Sequence, residues 1–344
     1  MGAVSKELNS SQSRAFEEKL RIHFRNLELL QIFIQDKQDQ DLATRTIECY
    51  TSYSRRAVEV FSANGVRMEL LGMEDLLPWY NVIKISMNGR KLRKRSLGGH
   101  LTSLSEFMDA LVFKKIRLDN PVPSFRKRYL KRYKSDDGPT IPRKCPPDPV
   151  MADMILTITD VRVKAIHMVL AKTGLRRGEL CSLNLEGFNQ VDNSLTLKPT
   201  TKRSNLKNPI DRECADAIRD YLLIRDRFGP AEYERALFLN LRGRRINGNS
   251  VYNEVTKVAG AKGIHDFTAD VLERDKKFAP HCYRVWFTTA LRRRKCPERI
   301  ISFLRGDAPQ NTADLYDRVT WEEAVEAYTT HIPNIASLLE EELE

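Results

Sequence analysis

Residues 281–316 read HCYRVWFTTALRRRKCPERIISFLRGDAPQNTADLY, and the spacing within this stretch decides how the rest of the chain is read. Pro280 suits the first position of a helix, where its missing N–H costs nothing. Tyr283, Phe287, Ala290 and Leu291 then recur at helical spacing, so His281 and Arg284, three residues apart, share one face. Cys296-Pro297-Glu298 opens a second helix with an apolar stripe of Ile300, Ile301, Phe303 and Leu304. Gly306 stands where a left-handed residue would end it. A third short helix is expected to carry Tyr316.

This stretch resembles the C-terminal half of the tyrosine recombinase (integrase) catalytic domain, most closely its archaeal members. That family pairs His-x-x-Arg with a downstream Gly-His and then a nucleophilic tyrosine. His281-Cys282-Tyr283-Arg284 fits the first element, Arg305-Gly306-Asp307 takes the place of the second, and Tyr316 follows at the family's spacing. Asp307 departs from the pattern, which has His or Trp there. Its carboxylate is expected to point away from a bound phosphate, taken up by backbone N–H groups of the turn or by Arg305 or Arg284.

Working back toward the N-terminus, Thr173 to Leu180 reads TGLRRGEL. The octet resembles the family's first arginine motif, with Arg176 as the matched arginine and Glu179 as its acidic support. Taken alone, Arg176 reads as a surface arginine at a helix start. Ser194-Leu195-Thr196-Leu197 alternates as a strand does, and Asn208-Pro209-Ile210 begins a second strand across a basic hairpin tip. Counting back from Pro209 makes Lys202 the match to the family's catalytic lysine, with Lys198 as the alternate. Phe238-Leu239 suggests a further edge before a helix over 250–258. Tyr283 is expected in the core, and Tyr328 on a separate helix opened by a Thr320–Glu323 capping box. Cys181 reads as core rather than nucleophile.

Lys and Arg number 57 against 46 Asp and Glu, a net charge of +11 that points to a polyanionic partner. No apolar run approaches the roughly 18 residues of a membrane span, so a soluble, cytoplasmic or nucleoid-associated protein is expected. Six cysteines without a C-x-x-C pair argue against a disulfide framework and a zinc site.

The organisation expected is mainly α. Residues 1–14 form a polar tail and 15–134 a helical DNA-clamping domain, with helices over 16–34, 47–61, 73–87 and 96–113. A Pro-rich linker covers 135–148. An α+β catalytic domain with a small antiparallel sheet spans 149–330, and the tail over 331–344 either frays or, as the resemblance implies, docks on a neighbouring protomer. Two basic clusters, Arg90, Lys91, Arg93, Lys94 and Arg95, then Arg126, Lys127, Arg128, Lys131 and Arg132, lie outside the apolar stripes. Such runs are usually only solvated, but two of them in a basic chain favour phosphate binding.

The resemblance implies a site-specific recombinase acting on double-stranded DNA through a 3′-phosphotyrosine. It implies a homo-oligomer, a tetramer on two DNA sites, and neither cofactor nor metal. Arg176 and Arg284 would hold the phosphate, His281 would serve as base, Lys202 as acid and Tyr316 as nucleophile. Two other readings stay open: a DNA-binding protein of the same fold impaired by Asp307, and a type IB topoisomerase-like enzyme.

Overall fold

The computed structural model describes residues 10–85, 89–130, 141–199, 203–270, 273–308 and 319–339. The chain divides into two compact units, residues 1–140 and 141–344.

The first unit is helical: α1 (Ser10–Asp39), α2 (Thr44–Ala63), α3 (Met73–Ile83), α4 (Lys94–Phe113) and α5 (Val122–Tyr129). Helix α1 begins inside the segment expected as a tail, because nothing in Ser10–Arg14 breaks the periodicity that Phe16 and Leu20 continue. The core is aromatic at its centre. Phe33 of α1 stacks on Phe107 of α4 at 4.9 Å between centroids, and Phe61 of α2 stacks on Trp79 of α3 at 5.6 Å. Helix α3 stops at Ile83 rather than continuing to Met87. The Lys84 carbonyl instead accepts Leu92 N at 2.7 Å and Ile85 bridges Lys91, so the chain turns back on itself. The basic run is the return arm of this turn, and its last residues begin α4.

The second unit is built around α7 (Val161–Thr173), in which only Val161 and Lys164 are not buried. Asp160 caps its start by accepting Val163 N at 3.0 Å. Gly174 ends it at φ 58°, and a Cβ there would stand 2.6 Å from Phe287 Cδ1, so both conformation and packing demand glycine. Around α7 lie α6 (Asp148–Leu156), α8 (Arg177–Ser182), α9 (Arg212–Ile224), α10 (Gly248–Ala261) and α11 (Pro280–Arg293). The antiparallel sheet runs β1 (Phe188–Asn189), β2 (Ser194–Thr196), β3 (Lys207–Pro209), with Leu195 opposite both Phe188 and Asn208. Helices α12 (Glu298–Arg305) and α13 (Trp321–His331) close a satellite core with Phe287 and Leu291 of α11.

The apolar stripe after α13 packs on its own domain. Ile335 and Leu338 are buried in the main core, and the Glu213 carboxylate accepts Ile335 N at 2.8 Å and Ala336 N at 3.0 Å. Lys172, fully buried, bridges Glu213 at 2.6 Å and donates to Pro333 O at 2.6 Å. These contacts within the chain hold residues 333–338 on their own domain. No helix among the described residues is long and apolar enough to cross a membrane.

Candidate active site

Three helix ends meet at the site. The turn after α7 presents Arg176 as the N-cap of α8, where Glu179 accepts Arg176 N at 2.7 Å with one carboxylate oxygen and Arg176 Nη1 at 3.0 Å with the other. Glu179 therefore aims the guanidinium as well as capping the helix. Helix α11 supplies His281 and Arg284 from its first turns, and α12 ends at Gly306, φ 63°, followed by Asp307.

Arg284 is buried. Its Nη1 donates to Gly174 O at 2.9 Å and its Nη2 to Arg305 O at 3.0 Å. The same Nη2 reaches Asp307 Oδ1 at 2.6 Å, while Arg176 Nη2 reaches that oxygen at 3.2 Å. Arg305 Nε lies 3.1 Å from Asp307 Oδ2. Of the alternatives stated for Asp307, its side chain takes the pairing with Arg284 and Arg305 and adds Arg176, because three guanidiniums crowd one position and a carboxylate balances them. Burial, then the Arg176 charge, lower the Arg284 pKa to about 10, and Asp307 works in the opposite direction. A monoanion held at this fork meets charge-assisted hydrogen bonds from both sides.

His281 has an exposed edge. Desolvation of the rest of the ring, followed by the charges of Arg143, Arg284, Arg305 and Arg176, lowers its pKa from 6.5 to about 4. The imidazole is neutral at pH 7 and can accept a proton.

Arg203 was legible only as hairpin-tip charge, yet its side chain is fully buried and its Nη1 stands 3.3 Å from Glu179 Oε2. The guanidiniums of Arg176, Arg203, Arg284 and Arg305 pair with the carboxylates of Glu179 and Asp307, four cations about two anions. Lys198 is described and exposed past the end of β2, where its charge acts on Glu186. Lys202 and Tyr316 lie outside the described residues, as do Lys131 and Arg132.

The other tyrosines weighed as nucleophiles are locked. Tyr283 is fully buried with its hydroxyl 2.5 Å from His167 Nδ1, and burial holds its pKa well above 10. Tyr328 donates its hydroxyl to Lys172 O at 3.0 Å and is likewise buried, with its pKa well above 10. Burial also raises the Cys181 thiol to about 11, which leaves it a poor nucleophile. No group of three His, Cys, Asp or Glu among the described residues is arranged to hold a metal ion.

In the first unit, Arg93 is the N-cap of α4 and Lys94 and Arg95 its first residues, with no acidic residue in the first turn. Arg126, Lys127 and Arg128 fall in the last turn of α5, where positive charge suits the helix end. Arg126 Nη1 donates to Thr102 at 3.0 Å, and Lys127 and Arg128 are exposed. Arg90 and Lys91 are exposed on the turn before α4.

A helical chain whose second unit sets two arginines and a histidine about one anion position, beside a short antiparallel sheet, has the architecture of the tyrosine recombinases. Residues 150–323 match the profile described as the phage integrase family, and the chain belongs to that family, the tyrosine recombinases. It is 30% identical over 176 residues to tyrosine recombinase XerC of Thermodesulfovibrio yellowstonii, spanning 50% of this chain and 55% of that relative. A XerC from Alcanivorax borkumensis is 23% identical over 308 residues, covering 84% of this chain and 94% of its own length. Among solved structures, the Tn1549 transposon integrase in complex with transposon right end DNA shares the fold, with a TM-score of 0.58 at 17% identity over 86% of this chain and 96% of that one. XerH site-specific recombinase bound to difH substrate matches with a TM-score of 0.57 at 16% identity, over 81% of this chain and 78% of that one.

Proposed function

We propose that this protein is a site-specific DNA recombinase that cleaves a strand by forming a 3′-phosphotyrosine and rejoins it to another. The observation that carries this reading is the convergence of Arg176 and Arg284 on one oxygen, Asp307 Oδ1, at 3.2 and 2.6 Å. In this reading a scissile phosphate takes over that position and both guanidiniums. Negative charge grows on the nonbridging oxygens as phosphorus becomes five-coordinate, and arginines already fixed in place stabilise it without reorganising.

Tyr316 Oη attacks phosphorus and its P–O bond forms. A phenol with a pKa of about 10 is a weak nucleophile at neutral pH, so a neutral His281 takes its proton. The P–O5′ bond breaks and Lys202 protonates the departing 5′ oxygen. The phosphotyrosine keeps an ester bond, and the 5′ hydroxyl of a second strand reverses the step. The assignment of Tyr316 is supported by the commitment of Tyr283 and Tyr328 to buried hydrogen bonds.

The first unit in this reading grips the duplex backbone. Cations at the positive end of a helix cost stability, about 0.3–1 kcal/mol each at the surface, so Arg93, Lys94 and Arg95 at the start of α4 make sense where phosphates approach. Exchange between two duplexes requires several copies, and we read the working form as a homo-oligomer on DNA, a tetramer on two sites.

A second reading, DNA binding without cleavage, draws on Asp307 standing where the family keeps His or Trp. Incubation with nicked duplexes bearing candidate sites separates the two. A covalent protein–DNA adduct supports the recombinase, and specific binding without adduct supports the impaired form.

A further inference from the structure

One buried side chain joins the β2–β3 hairpin to the arginine site. A guanidinium has five N–H donors, and Arg203 uses all of them. Nε donates to Asn205 O, Nη1 to Glu179 Oε2 at 3.3 Å and Arg305 O at 3.2 Å, and Nη2 to Asn208 Oδ1 at 2.6 Å and Leu304 O at 3.2 Å. Two of these acceptors also serve the phosphate fork. Glu179 accepts from Arg176, and Arg305 O accepts Arg284 Nη2 at 3.0 Å. The next residue adds Ser204 N to Gly306 O at 3.3 Å and Ser204 Oγ to Asp307 O at 2.8 Å. A Cβ on Gly306 would stand 2.5 Å from Arg203 Cγ, so the end of α12 leaves room for this side chain.

Burying an arginine costs desolvation that partners only partly return, and apolar contacts could anchor a hairpin more cheaply. What an arginine adds is direction, five fixed bonds to three segments at once: α8, the end of α12 and the hairpin itself. We propose that Arg203 is a positioning residue that locks the chain one residue from Lys202 to the Gly306–Asp307 turn. The chain that leads into the lysine is then tied, from Arg203 onward, to the same Glu179 carboxylate and Arg305 carbonyl that serve the two arginines. The inference rests on the roles given above to Lys202, Arg176 and Arg284.

The step at stake forms the Tyr316 O–P bond and breaks P–O5′, with the electron pair leaving on the 5′ oxygen and a proton arriving from the Lys202 ammonium. Replacing the bridging 5′ oxygen with sulfur removes the need for that proton, since a thiolate leaves unaided. Single-turnover cleavage of oxygen and 5′-bridging sulfur duplexes is therefore measured for the wild type, Lys202→Ala and Arg203→Lys, with folding followed by thermal melting.

Arg203→Lys is expected to cleave the oxygen substrate slower by about thirtyfold or more, and to return on sulfur to within about threefold of wild type, as Lys202→Ala does. Equal slowing on both substrates, or no slowing on either, overturns the proposal. Should Arg203→Lys not fold, Asn208→Ala keeps the guanidinium, removes its 2.6 Å acceptor and carries the same test with the same outcomes. A wild type that forms no adduct with either duplex removes the recombinase reading and this proposal with it. A wild type that cleaves while Arg203→Lys shows no selective rescue removes the proposal alone.

Discussion

Asp307 Oδ1 accepts Arg284 Nη2 at 2.6 Å, and the buried guanidinium and the carboxylate form the tightest contact at the phosphate fork. A phosphate about 4 Å from that carboxylate would be repelled by on the order of 4 kcal/mol at the effective dielectric of a protein surface. In the proposed reaction, DNA and Asp307 would therefore compete for the same arginines. Asp307→Ala should tighten binding of a cleavage-blocked duplex while slowing cleavage less than about tenfold, about 1.4 kcal/mol, since the arginines lose a partner that holds them but not their charge. Asp307→His should be tolerated. Binding titrations beside single-turnover cleavage check this. A folded, DNA-bound Asp307→Ala as inactive as Tyr316→Phe would put the carboxylate in the chemistry.

Arg176→Ala and Arg284→Ala should each reduce cleavage by about 10²–10³-fold, as loss of a preorganised oxyanion donor does, with a much smaller effect on binding. Gel shifts and cleavage rates on one duplex measure both. Equal losses in the two assays would make them backbone anchors. Arg284→Ala should also lower the melting temperature more than Arg176→Ala, because Arg284 is buried and its loss takes from Gly174 O its side-chain donor.

His281 has a folded pKa of about 4 against 6.5 in the unfolded chain. Between those values the unfolded chain binds more protons, so the residue's contribution to stability is complete above pH 6.5 and is lost as the pH falls toward 4. As a base it should stay competent over the same range. The pH profile of kcat/KM, which reports the free protein, should lack a break near 6.5 that His281→Gln removes. An inflection at 6.5 that disappears in the variant would show an unperturbed imidazole.

Neutralising Arg93, Lys94 and Arg95 together should weaken binding to all duplexes alike and flatten the plot of log affinity against log salt by about 0.9 for each phosphate no longer neutralised. Arg126, Lys127 and Arg128 should have a smaller effect on the slope per charge, since the α5 C-terminus already accommodates them. An unchanged slope after the first substitution would return that arm to ordinary surface charge.

What could be read from sequence was local. The shared face of His281 and Arg284 follows from helical spacing after Pro280, and the aim of Arg176 follows from a glutamate three residues on, both within one turn of helix. What could not be read depends on partners far along the chain. The Asp307 contact to Arg176, unlike those to Arg284 and Arg305, spans 131 positions, and Arg203 is buried because Leu304 and Arg305 offer carbonyls about a hundred positions later. The C-terminal stripe had the right apolar pattern, but its receiving surface depends on Glu213 and Lys172, which the pattern does not contain. Helix α3 ends early for the same kind of reason, a bond to Leu92 that competes with one more helical turn.

Tyr316 as the nucleophile at the Arg176–Arg284 fork is the claim on which the proposed chemistry turns. The direct measurement is denaturing electrophoresis of the wild type and Tyr316→Phe after incubation with a nicked, end-labelled duplex, alongside a gel shift of each. The wild type should carry label covalently, and Tyr316→Phe should bind with unchanged affinity and carry none. An adduct that persists in Tyr316→Phe, or one that maps to another tyrosine, would contradict the account.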